Sequence, residues 1–170
     1  MTRADWRPSA DISALHNRAR MLKDIRAFFD ARQVLEVETP LLGSYGVTEP
    51  ALNNMVVETG AGRRYLQTSP EYAMKRLLSA GSGDIYQVTR AFRGAESGSR
   101  HNPEFSILEW YRLGMDHHGL MDEVDALLQD LMSNLSLKDS RRLSYRDAFQ
   151  ECLHIDPVNC SESTLIKLAN

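Results

Sequence analysis

Residues 84–113, DIYQVTRAFRGAESGSRHNPEFSILEWYRL, carry the reading on which the fold turns. Asp84 to Phe92 and Glu104 to Leu113 each alternate in the period of two that belongs to a strand. Between them the segment 94–103 is polar and contains glycine. The two strands and the loop therefore predict a long antiparallel hairpin. On the second strand Phe105, Ile107, Glu109 and Tyr111 share a face. A glutamate in mid-strand is costly if it is buried without a partner. Either that face is wet or a cation meets Glu109 there, and spacing alone leaves both readings open.

Working upstream, Ser69-Pro70-Glu71 reads as a helix start: serine can cap, proline fits the first helical position, and an acid in the first turn suits the dipole. This helix should run to about Ala80, with Met74, Leu77 and Leu78 inward and Gly81 as its stop. Residues 43–62 are rich in Gly, Thr and Asn and read as loops, with a short strand near Asn54–Glu58 and another at Arg64 to Gln67. Val34 to Glu38 alternates as a strand that Thr39-Pro40 ends, since proline cannot donate to a ladder. Residues 13–33 predict an amphipathic helix with Ser13 as cap and Leu15, Ala19, Leu22, Ile25 and Phe29 on its apolar side. Downstream, residues 117–132 predict a helix capped by Asp116, with Leu120, Val124, Leu127, Leu128 and Leu131 on one stripe. Ser144 to Leu153 reads as a short capped helix, and a further one begins at Ser163.

Composition narrows the class. The 170 residues are 42% hydrophobic and 25% charged, an ordinary globular balance. The formal net charge of −3 and pI near 5.9 advertise no nucleic-acid surface. No apolar run approaches bilayer length, and residues 1–11 lack the apolar core of a signal peptide, so a cytoplasmic protein without a membrane partner is expected. Cys152 and Cys160 read as idle thiols. No Cys/His spacing suggests a metal site. His117 and His118 at a helix start and the charged stretch 138–142 read as solvated surface.

The quoted stretch also carries a resemblance. Thr89-Arg90-Ala91-Phe92-Arg93, then Arg100-His101-Asn102-Pro103-Glu104-Phe105, then Leu108-Glu109-Trp110-Tyr111, resembles motif 2 of lysyl-type class II aminoacyl-tRNA synthetases. Residues 28–42, FFDARQVLEVETPLL, resemble motif 1, the helix and strand of the dimer interface. Residues 68–77, TSPEYAMKRL, are similar to the amino-acid-binding segment. Glu109-Trp110-Tyr111-Arg112, with only about a dozen residues before the first helix, points within this class to the elongation factor P lysine ligase family.

The resemblance implies an α+β fold: a class II synthetase-like antiparallel sheet flanked by helices, incomplete at the C-terminal side, with residues 1–170 as the N-terminal portion of one catalytic domain. Motif 1 would span about 15–42 and motif 2 about 84–113. It implies ATP-dependent activation of lysine or (R)-β-lysine and transfer to a lysine of elongation factor P, in a homodimer formed through motif 1, without tRNA. Arg93 would be the catalytic arginine on the α-phosphate. Arg100 and His101 would face the outer phosphates, Asn102 would sit near the nucleotide, and Phe105 would stack on adenine or pack in the core. Ser69 and Glu71 would receive the backbone-type amine, and Glu109 with Tyr111 the ε-ammonium. The family places an acid two residues after the arginine; Ala95 stands there, and Glu96 follows as the acid available for the adenine contact. Mg²⁺ bridging the phosphates is expected, with no ligand identifiable in this sequence. Nothing in it matches motif 3, so little activity is expected of these residues alone. Two other readings stay open: a catalytically silent module that dimerises or binds a partner, and a piece of a lysyl-tRNA synthetase.

Overall fold

The computed structural model describes residues 8–94, 98 and 101–169, which form two compact units divided between Ser133 and Asn134. The first unit contains helices α1 (Ile12–Asp30), α2 (Glu71–Ser79) and α3 (His117–Leu131). Its strands are β1 (Leu35–Glu36), β2 (Leu42–Gly43), β3 (Val56–Thr59), β4 (Gly62–Leu66), β5 (Ile85–Phe92) and β6 (Glu104–Tyr111). The second unit holds helices α4 (Tyr145–Leu153) and α5 (Glu162–Ala169).

The hairpin is the centre of the first unit. β5 and β6 are antiparallel along their whole length, from Ile85 opposite Tyr111 to Phe92 opposite Glu104. β1 joins the far edge of β5 in parallel, with Leu35 opposite Ile85, so this sheet is mixed rather than wholly antiparallel. The expected strand over 34–38 is thus reduced to two paired residues. Beyond them the Thr39 hydroxyl donates to Gln87 Oε1 at 2.9 Å inside the fold. A second sheet, in the order β2-β4-β3, is antiparallel throughout. Backbone bonds tie it to the hairpin: Phe92 N–H donates to the Gln67 carbonyl at 2.9 Å, and Gly94 N–H to the Asn53 carbonyl at 2.8 Å.

The core lies on the face of the hairpin opposite Glu109. Phe29, fully buried, stacks on Tyr86 at 4.4 Å between ring centroids and meets Trp110 at 5.5 Å. Ile25, Phe28, Val34 and Leu127 complete the buried cluster, with Val88 and Leu108 packed against it. Each such side chain contributes about 1.5–3 kcal/mol by leaving water. Alternation along β6 decides which residues join: Leu108 and Trp110 face α1 and α3, while Ile107 and Glu109 face away.

A charged cluster closes the open end of the hairpin. Arg112 approaches Asp84 Oδ2 through Nη1 at 3.2 Å and Glu123 Oε1 through Nε at 3.3 Å. Neither contact has hydrogen-bond alignment, so charge rather than directed bonding holds the guanidinium. The other oxygen of buried Glu123 accepts the Trp110 indole N–H at 3.0 Å. Asp84 Oδ1 accepts the Leu113 amide at 2.6 Å.

Three local expectations are corrected. The cap of α1 is Asp11, whose carboxylate accepts the Ala14 N–H at 2.7 Å, while Ser13 donates its hydroxyl to that same carboxylate. Asp11 holds the extended backbone of a cap while Ser13 is already helical, so the aspartate carboxylate takes the capping role. Leu15 does not face inward; it is 50% exposed, and burial begins only at Ile25. In α3 the buried positions are Glu123 and Leu127, with Leu120 and Leu128 left on the exposed flank. The Asp116 cap of α3 and the Ser144 cap of α4 are as expected. In the second unit Arg141 pairs with Glu151 at 2.9 Å and Arg146 with Asp156 at 3.0 Å, both in exposed positions.

Candidate active site

The face of the hairpin opposite the core, α2 and the segment 40–52 enclose a cleft of about 650 Å³. Its residues arrive by three routes. Ile107 and Glu109 come from the outward positions of β6, Arg93 from the residue just after β5, and Ser69 and Glu71 from the start of α2.

Glu109 is fixed from both sides. Ser69 Oγ donates to Oε2 at 2.7 Å and Tyr111 OH donates to Oε1 at 2.9 Å. Burial, and then the bond to Glu109, push the Tyr111 phenol well above its ordinary range. The phenol is therefore a fixed donor at neutral pH. Ser69 also accepts the Glu71 N–H at 3.1 Å. Pro70 at the cap position offers no side-chain bond, so Ser69 caps α2 from one residue earlier and couples that helix to β6. Glu109 is thus half-buried, with a hydroxyl donor on each carboxylate oxygen.

Glu71 projects from the first turn of α2 and pairs with Lys75 at 2.6 Å, one helical turn along. That bond raises the Lys75 ammonium above its ordinary value. The spacing of four residues made this partner legible, and sequence reasoning passed over it. Only Oε1 of Glu71 takes part in it.

Arg93 leans back on the chain. Its Nε donates to the Thr68 carbonyl at 3.4 Å, its own N–H donates to the Pro103 carbonyl at 2.9 Å, and its guanidinium carbon stands 5.1 Å from the centre of the Phe105 ring. Phe105 therefore packs against the arginine. His101 and Asn102 are exposed on the hairpin loop and stand outside the residues lining the cleft. Glu96 and Arg100 lie outside the described residues, as does Ala95.

Ser69, Glu71, Arg93 and Glu109 are thus brought to one cavity, and Tyr111 and Phe105 stand behind two of them. The segment 43–52 also lines it, through Tyr45, Val47, Glu49 and Leu52, and none of these was singled out by sequence. Its lack of any period hid it. Chemically, three carboxylates (Glu49, Glu71 and Glu109) and two guanidiniums (Arg76 and Arg93) around one cleft suit a ligand bearing both cationic and anionic ends. Among the described residues no group of three or more His, Cys, Asp or Glu side chains converges to hold a metal ion.

The sequence that builds this hairpin and cleft is matched by a family model. Residues 3–164 match the tRNA synthetases of class II (D, K and N), and the chain belongs to that family. Within it, the chain is 50% identical over 170 residues to an elongation factor P–(R)-β-lysine ligase of Pseudoalteromonas translucida, covering 96% of this chain and 52% of the relative. The Vibrio cholerae protein of the same name is 50% identical over 93% of this chain and 50% of its own length. That of Haemophilus influenzae (strain PittGG) is 48% identical over 96% and 52%. The chain spans about half the length of these curated relatives.

Proposed function

We propose that this chain belongs to an ATP-dependent ligase that activates lysine or (R)-β-lysine as an aminoacyl-adenylate and passes the acyl group to a lysine of elongation factor P. The observation that carries this reading is the shared cleft: Arg93, Glu71 and Glu109 line one cavity. Similarity to ligases of that name supports the substrates.

In the first step the substrate carboxylate attacks the α-phosphorus of ATP and pyrophosphate leaves. Negative charge grows on the phosphoryl oxygens, and the planar Arg93 guanidinium, braced by Thr68 and Phe105, can hold them while gripping the carboxylate. Arg100, His101 and Asn102 belong to the loop that would face the outer phosphates and the nucleotide, with Glu96 toward the adenine. Glu109, oriented by Ser69 and Tyr111, receives the terminal ammonium. Glu71 receives the other amine, for which Lys75 competes. In the second step the amine of the acceptor lysine attacks the acyl carbonyl, an amide forms and AMP leaves. Net charge of −3 favours a protein acceptor over tRNA.

Both units belong to one class II catalytic domain in this reading, since the family match spans them. Homodimerisation through α1 fits the apolar side chains that helix leaves in solvent: Ile12 is 67%, Leu15 50% and Met21 42% exposed. No helix among the described residues is long and apolar enough to cross a membrane, and a cytoplasmic setting is proposed.

Calorimetric titration with ATP, lysine and (R)-β-lysine tests the function. Glu109→Gln keeps an acceptor but removes the charge, and should weaken the amino acid by roughly tenfold or more, a charge-assisted bond being worth about 1.5–3 kcal/mol. ATP binding should stay unchanged. Flat isotherms for both amino acids, or equal binding by the variant, would reject the assignment.

A further inference from the structure

The segment joining β2 to β3 forms one wall of the cleft, and it is clipped to itself by a side chain. Asn54 Oδ1 accepts the Val47 N–H at 2.9 Å, and Asn54 Nδ2 donates to the Val47 carbonyl at 2.9 Å. Both backbone groups of one residue are thus taken by one amide. The neighbouring position is shaped to it: a Cβ on Gly46 would lie 2.6 Å from Asn54 Cγ, too close for any other residue with the amide in place. The far end is anchored by the Gly94 N–H on the Asn53 carbonyl at 2.8 Å. The clipped turn meets α2 where the Thr48 and Tyr72 hydroxyls approach to 3.4 Å, one residue after Glu71. Val47, Glu49 and Glu71 line the same cleft.

We infer that Asn54 and Gly46 are positioning residues for the amino-acid end of this cleft. The two-point clip on Val47 holds the wall against the first turn of α2, and so sets where along a ligand's backbone an amine can stand beside Glu71. An unclipped turn would have to be ordered by the ligand itself, at a cost to affinity. The arginine end of the cleft is built from β5 and the Thr68 carbonyl, and it meets the clipped segment through the Gly94–Asn53 backbone bond, which needs no Asn54 side chain. For its ligand this inference rests on the function proposed above; the clip itself does not.

The test uses the full chain with Asn54→Ala, Gly46→Ala and the double variant, read by amide hydrogen exchange and by titration with lysine, (R)-β-lysine and ATP. Asn54→Ala should speed exchange at Val47 while β5 and β6 amides keep their protection. Losing two hydrogen bonds should weaken both amino acids on the order of tenfold, unequally, with ATP affinity unchanged within about twofold. Gly46→Ala should do the same by expelling the amide. In the Asn54→Ala background it should add nothing, because the atoms it meets are gone. Unchanged exchange at Val47, a parallel loss of ATP and amino acid, or additive effects in the double variant would overturn the inference. Normal amino-acid binding by Asn54→Ala defeats this inference alone, whereas a wild-type chain that binds neither amino acid defeats the proposed function and the positioning role with it.

Discussion

Glu123→Ala removes one carboxylate that serves two partners, and its cost can be worked from the distances. Arg112 loses its contact at 3.3 Å but keeps Asp84 at 3.2 Å, and its side chain is only 15% exposed. Breaking a buried pair outright costs about 3–5 kcal/mol; with Asp84 still beside the guanidinium the cost falls below that range, to about 2–3 kcal/mol. The Trp110 indole N–H loses its acceptor at 3.0 Å, which adds roughly 1 kcal/mol if water reaches it. The expected loss is therefore about 3–4 kcal/mol, several times the effect of an ordinary surface change. Glu123→Gln keeps an oxygen for the indole and loses only charge, so it should cost about half as much. Urea denaturation followed by far-ultraviolet circular dichroism measures both. With a slope of about 1–3 kcal/mol per molar, the alanine variant's midpoint should fall by at least about 1 M. A fall worth less than about 0.5 kcal/mol, within the scatter of surface substitutions, would refute the account of this cluster. So would equal losses in the two variants.

Two further outcomes follow from the structure. Tyr86 is pushed up to about 12 by burial and then by its bond to Glu36, and Tyr111 is raised as well. Both phenols bind their protons more tightly when folded, so the stability they lend is complete below the ordinary tyrosine value of 10.0 and is lost as pH rises through the folded values. Phenolate absorbance should lag in these two, and Tyr111→Phe should remove one late-titrating group; a single ordinary titration of all tyrosines would contradict this. For the proposed dimer, Leu15→Glu on the exposed side of α1 should shift sedimentation toward monomer without loss of helicity, and an unchanged sedimentation coefficient would speak against α1 as the interface.

The hairpin was legible because its signal is local: alternation on both strands and a glycine-bearing turn left little choice of register. The faces followed, so Glu109 and Tyr111 could be placed on one side and Trp110 on the other from period alone. α2 was legible for a similar reason, with its start at Ser69-Pro70-Glu71 and its stop at Gly81, where φ is +88°. Leu15 was misread because helical spacing says which side chains are neighbours, not whether anything covers them. The parallel pairing of Leu35 with Ile85 left no mark, since its partner lies far along the chain and only tertiary packing brings them together. The clip of Asn54 on Val47 is likewise invisible in a segment with no period, and only the glycine before it hints that space is short.

The burial of Phe29 against Tyr86 and Trp110, with Arg18 reaching Ser106 88 residues away, has a kinetic consequence. The first helix has nothing to pack on until the hairpin has been made. During synthesis it must wait, amphipathic and uncovered, until Trp110 has cleared the ribosome. Contacts of such long sequence separation slow folding, and the waiting intermediate exposes the surfaces that favour aggregation. Expression at low temperature or with chaperones should therefore raise the soluble yield more than any single stabilising substitution in α1.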